Sequence, residues 1–159
     1  MGSNGWNQSA ILDIARQLRD EPGALLLILR RIQDELGWIP EQSVPLIADV
    51  LNLSRAEVHG VATFYHDFRH HPPGRHVIRL CRAESCQAMG AVALARHLED
   101  RLGIGFGQTT ADGRFTLDAV YCLGNCACSP ALTIDGDIHG RVTPGRLDDL
   151  MAAVEERRS

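Results

Sequence analysis

Two close pairs of cysteines constrain this chain more than any other feature. Cys81-Arg-Ala-Glu-Ser-Cys86 and Cys122-Leu-Gly-Asn-Cys126 are separated by 35 residues. Four thiolates delivered as two pairs can surround one soft metal centre, and such ligands select zinc, cuprous copper or iron–sulfur clusters. The loops, C-x4-C and C-x3-C, are wider than the C-x2-C loop of many zinc sites. Four cysteines are also the complement of a [2Fe–2S] centre, which takes two sulfurs on each iron. The spacing therefore points to a [2Fe–2S] electron carrier. Structural zinc on the same sulfurs is the alternative from another class, a stapled interaction module.

Five cysteines make an odd count for a disulfide framework, and all five lie between positions 81 and 128. Metal or redox use in a reducing compartment fits that better than two disulfides. The fifth, Cys128, stands two residues after Cys126 and reads as a small packed side chain. A redox dithiol of the C-x-x-C type is absent. Net charge is −4 with a pI near 5.9, which gives no reason to expect nucleic-acid binding. The longest strongly apolar run, Ala24 to Leu29, is far short of the roughly 20 residues of a membrane span. Met1 to Trp6 has neither the basic and apolar parts of a signal peptide nor a myristoylation motif. A cytoplasmic protein is expected.

Along the chain, the first half is helical. Residues 9–20 place Ile11, Ala15 and Leu18 on one face behind Ser9 as N-cap. Residues 23–36 carry a stripe of Leu25, Ile28, Leu29, Ile32 and Leu36, stopped by Gly37. A third helix over about 43–52 buries Leu46, Ile47, Val50 and Leu51. Ser54 and Glu57 form a capping box for a fourth, with Val58, Val61, Ala62 and Tyr65 inward. His66, His70, His71 and His76 then surround Pro72-Pro73-Gly74, read as a linker and not a metal site. The expected division is 1–73, a small helical bundle with its linker, and 74–159, the cysteine-bearing domain.

The second half changes period. Val77 to Leu80 reads as a strand ending at Cys81, and Cys86 opens a helix over about 87–102 with Val92, Leu94, Ala95, Leu98 and Leu102 inward. Phe115, Leu117, Ala119 and Tyr121 alternate in a second strand that ends at Cys122. Leu132 to Ile134 and Ile138 to Val142 form a hairpin around Asp135-Gly136. Thr143-Pro144 caps a last helix with Leu147, Leu150, Met151 and Val154 on its stripe. Gly103 to Gly107 reads as a flexible loop. The order β-α-β-β-β-α makes an α/β domain in which both cysteine pairs begin where a strand ends. Hydrolase, P-loop and dinucleotide fingerprints are absent, so no catalytic site of its own is expected.

At these residues the sequence resembles a known family, the thioredoxin-like [2Fe–2S] subunit found beside the flavin subunit of respiratory complex I. Gly37-Trp38-Ile39-Pro40, Gly60-Val61-Ala62-Thr63-Phe64-Tyr65, Cys122-Leu-Gly-Asn-Cys126, Pro130-Ala131 and Gly140-Arg141-Val142-Thr143 carry the resemblance. It implies a thioredoxin-like [2Fe–2S] ferredoxin domain preceded by a helical bundle. It also implies one [2Fe–2S] cluster on Cys81, Cys86, Cys122 and Cys126. Related subunits serve complex I, NAD-linked hydrogenases and molybdenum- or tungsten-containing NAD-dependent formate dehydrogenases. Cys81-Arg-Ala-Glu-Ser-Cys86-Gln-Ala-Met-Gly90 resembles the gamma subunit of the cytoplasmic formate dehydrogenases, which is the favoured parent. The implied partners are a subunit carrying FMN, a [4Fe–4S] cluster and the NAD site, and through it a molybdopterin catalytic subunit. In isolation, a second copy of the chain is a further expected partner. A free-standing ferredoxin would not need the helical half.

Overall fold

The chain divides at Pro72 and Pro73 into two units, each with its own core. The structure is a computed structural model that describes residues 6–156, so the reading of Met1 to Gly5 lies outside the described residues. In the first unit, α1 spans Gln8–Leu18, α2 Ala24–Leu36, α3 Ser43–Leu51 and α4 Arg55–Phe64. Ile11, Ala15, Ile28, Leu29, Ile32 and Val58 are buried together, as their helical stripes imply, but α3 buries Val44, Ile47 and Ala48 and leaves the expected Leu46, Val50 and Leu51 only partly covered. The N-cap of α1 is Asn7 and not Ser9: the Asn7 side chain accepts the Ser9 N–H at 2.9 Å. Gly37 ends α2 at φ 83°, a left-handed conformation that glycine adopts without a Cβ penalty.

The Ser54–Glu57 box closes in both directions, Glu57 N–H to Ser54 Oγ at 3.1 Å and Ser54 N–H to Glu57 Oε2 at 2.8 Å. Tyr65, expected inside, is 43% exposed because the chain leaves the helix there in an extended conformation. After it, the buried Gln33 side chain donates to the Asp67 carbonyl at 2.7 Å and accepts the Arg69 N–H at 2.6 Å. One polar side chain thereby satisfies two backbone groups of the segment that follows α4.

The second unit holds β1 (His76–Cys81), α5 (Glu84–Ala88), α6 (Ala91–Leu102), β2 (Gln108–Thr109), β3 (Phe115–Val120), β4 (Leu132–Ile134), β5 (Asp137–His139) and α7 (Pro144–Glu156). The sheet runs β2-β3-β1-β4-β5, with β1 and β3 parallel and the other neighbours antiparallel. Ile78, Leu80, Leu94, Leu98, Leu117, Leu132, Leu147 and Met151 form its core. Asp135 and Gly136 have φ 52° and 93°, the paired positive values that two-residue hairpin turns require.

Some expectations change here. The helix read over 87–102 is two, because Gly90 at φ 100° breaks it and places Cys86 inside the short α5. The phase restarts at Ala91, so Val92 faces solvent at 46% exposure. Tyr121 lies beyond the end of β3 and is 76% exposed. His76 is no linker residue: it begins β1, and its Nδ1 lies 2.7 Å from Asp135 Oδ2. Gly103 to Gly107 is also pinned, with Gly103 capping α6 and the Gly107 N–H donating to Leu117 O at 2.7 Å. No helix among the described residues is long and apolar enough to cross a membrane.

Candidate metal centre

The parallel pairing of β1 and β3 sets the site. Cys81 is the last residue of β1 and lies opposite Val120, the last of β3, so the two chains leave the sheet at the same end. Cys122 follows two residues later. Each strand is succeeded by a tight loop that returns a second cysteine, Cys86 from α5 and Cys126 from a 3₁₀ turn over Cys126–Cys128.

The four sulfurs form two pairs of unlike environment. Cys81 and Cys86 are buried, whereas Cys122 and Cys126 are exposed, with their sulfurs 3.8 Å apart. Two pairs side by side suit a binuclear centre, in which each metal needs only two protein sulfurs.

Hydrogen bonds aim at these sulfurs. The Gly124 N–H donates to Cys122 Sγ at 3.3 Å. The N–H groups of Ala83 and Leu123 point to the Cys81 sulfur, and that of Ala131 to Cys86. Burial pushes the Cys81 thiol above its ordinary value, with those N–H groups pulling against it. Burial also acts upward on Cys86, but bonds from Ser129, Cys81 and Ala131 outweigh it and leave that thiol lowered. The neighbouring Cys122 thiol pushes Cys126 up. Burial at Cys81 and the neighbouring thiol at Cys126 thus oppose ionisation there, unless a positive centre compensates the charge. The donor set and its N–H partners thus fit a [2Fe–2S] group.

Backbone detail supports that arrangement. Cys122 has φ 126°, a conformation side-chain-bearing residues seldom adopt, and one concentrated at functional sites. Cys128 packs against Gly140. Its Cβ would lie 2.6 Å from a Cβ placed on Gly140, so the two segments touch with no room for a side chain on residue 140. That contact accounts for the glycine in Gly140-Arg141-Val142-Thr143. Sequence reasoning found the cysteines but missed Ser85 and Ser129, whose hydroxyls lie 2.9 Å apart beneath them. No local pattern signals a pair 44 residues apart.

Known proteins agree in kind. An NADH-quinone oxidoreductase subunit of Pseudomonas aeruginosa is 42% identical over 146 residues, 92% of this chain and 88% of that protein. NADP-reducing hydrogenase subunit HndA of Solidesulfovibrio fructosivorans is 30% identical over 142 residues, 89% of this chain and 83% of that one. The crystal structure of an NAD+-reducing [NiFe]-hydrogenase in the air-oxidized state superposes with a TM-score of 0.72 at 30% identity. That match takes in 91% of this chain but only 24% of the hydrogenase chain. The family model for thioredoxin-like [2Fe–2S] ferredoxins matches residues 11–155. The chain belongs to that family, and its cofactor is one [2Fe–2S] cluster.

Proposed function

We propose that this chain is the electron-transfer subunit of a soluble, cytoplasmic NAD-dependent formate dehydrogenase, docked beside the subunit that carries FMN and the NAD site. Cys81, Cys86, Cys122 and Cys126 would hold the cluster, two sulfurs to each iron. Bound there, the group supplies one-electron chemistry at a low potential, of the order of the roughly −400 mV of plant-type ferredoxins. The observation that carries the cluster part of the reading is the common exit of β1 and β3, which delivers Cys81 and Cys122 at one end of the sheet with their loop partners. Cys81 and Cys86 bury one side of the centre. Exposed Cys122 and Cys126 leave the other side open to an exchanging flavin subunit. FMN, a [4Fe–4S] cluster and molybdopterin belong to partner subunits on this reading.

The first loop, Cys81-Arg-Ala-Glu-Ser-Cys86-Gln-Ala-Met-Gly90, is what favours a formate dehydrogenase parent. The 42% identity to NADH-quinone oxidoreductase subunits favours a second reading, the equivalent subunit of complex I. Co-purification from the native host decides between them. A molybdopterin-binding chain and a flavin chain are expected; a quinone-reducing membrane arm would replace the parent while leaving the site untouched. Ligation is tested separately by Cys→Ser variants at 81, 86, 122 and 126, each expected to lose most of the cluster absorbance. Cys128→Ser is expected to keep it. A full cluster after any of the four would remove that residue from the ligand set.

A further inference from the structure

Beneath the two cysteine loops lies a pair of serines that the family's ligand pattern does not require. Ser129 is 7% exposed, and its Oγ sits 2.8 Å from the Cys126 carbonyl, 2.9 Å from Ser85 Oγ and 3.5 Å from Cys86 Sγ. The Cys126 carbonyl is oversupplied. It faces the Ser129 N–H at 3.3 Å, the Ser129 hydroxyl and the Ser85 hydroxyl at 3.4 Å, three donors for two lone pairs. When the Ser129 hydroxyl hydrogen turns to the sulfur, that carbonyl keeps the Ser129 N–H and shares the Ser85 hydroxyl hydrogen with Ser129 Oγ. With a thiol at Cys86 the sulfur can donate to Ser129. A ligating thiolate has no hydrogen to give, so the same contact remains a hydrogen bond only if Ser129 donates.

We propose that the Ser129 hydroxyl, itself accepting from Ser85, donates to the Cys86 sulfur and sets the cluster potential. The inference rests on Cys86 holding the cluster. Ser129 acts through that sulfur as a positioning and tuning residue. Reduction adds negative charge shared by the ligating sulfurs, so a donor at Cys86 binds the reduced state more strongly than the oxidised one. The Ser85 O–H polarises the Ser129 O–H in the chain O–H···O–H···S and strengthens the last link. Backbone N–H groups reach Cys81, Cys86 and Cys122 whatever the side chains are. The Ser129 hydroxyl, by contrast, is a side-chain donor that a point substitution can remove.

The test uses the full chain with its cluster, poised against redox mediators and read by electron paramagnetic resonance. Ser129→Ala is expected to keep its iron and absorbance. Its ratio of reduced to oxidised cluster at a fixed ambient potential should fall about tenfold, a midpoint lower by about 59 mV for one electron. Ser85→Ala is expected to move the midpoint the same way by less. In resonance Raman spectra, the Fe–S(Cys) bands of the natural protein should shift in D₂O, and Ser129→Ala should lose part of that shift. A fully loaded Ser129→Ala with unchanged midpoint and unchanged deuterium sensitivity would overturn the inference and leave the ligand reading standing. A natural chain that takes up no [2Fe–2S] cluster would overturn both. Should Ser129→Ala lose its cluster, Ser85→Ala decides: a lower midpoint supports the chain of hydroxyls, and an unchanged one refutes it.

Discussion

Gly140 and Cys128 show how little room the loop behind the cysteines leaves. A Cβ on residue 140 would come within 2.8 Å of Asn125 Nδ2 and 2.9 Å of the Cys128 carbonyl, besides the Cys128 Cβ. Two of these atoms are backbone or the stiff base of a side chain, so neither can swing aside. Gly140→Ala is expected to destabilise the fold by about 1–3 kcal/mol, the usual range for overpacking, read as a lower urea midpoint. A full-strength midpoint would mean that the segment after β5 yields without strain. The cysteine pairs were legible because each is local in sequence, and the parallel strands bring both to one end of the sheet. The Gly140–Cys128 contact was not legible, since closeness between two loops leaves no periodic trace in either.

At the scale of elements, capping and turn chemistry were readable where they are local. The Ser54–Glu57 box, the Gly37 stop and the Asp135-Gly136 turn all involve residues within a few positions of each other. The break between α5 and α6 was missed because apolar spacing continues across Gly90. The two-residue β2 was missed because only its pairing with β3 defines it, Gln108 to Leu117 and Thr109 to Thr116. The box also carries a pH dependence. Backbone and side-chain bonds from Ser54 hold the Glu57 carboxyl below its ordinary value. Its contribution is therefore present above the ordinary carboxylate pKa and is lost as pH falls through the lowered one. Glu57→Gln should be less stable than the natural chain at pH 7, with the gap closing toward acid pH in thermal melts. A constant gap would assign the effect to packing. Gln33 is a second, long-range device: Gln33→Leu removes both bonds to the Asp67–Arg69 segment and should cost about 1–2 kcal/mol, measured by denaturant titration. Faster amide exchange should appear at Arg69.

Over the whole molecule, the cofactor and the two cores are unequally distributed. Ile11, Ile28, Leu29, Ile47 and their neighbours make one core within residues 1–72, and none of them is near a cysteine in sequence. Cys81, Cys86, Ala91 and Ala131 form their own small buried cluster within residues 73–159, beside the main core of that unit. A ligand that binds only the folded form stabilises the unit that binds it. On the proposed ligation, removing the cluster also takes away the centre that joins the two cysteine loops at one end of the sheet. Those loops are short of regular backbone pairing, which places them at the low-stability end of the unit. Hydrogen exchange of the loaded and the iron-free chain should therefore diverge locally. Amides from Arg82 to Ala88 and from Tyr121 to Ser129 are expected to lose most protection, and those of β1 and β3 part of it. Amides of α1, α2 and α3 should exchange at the same rate in both forms. Equal losses in all of these elements would instead mean that the two units unfold as one cooperative body, with the cluster supporting the helical half as well.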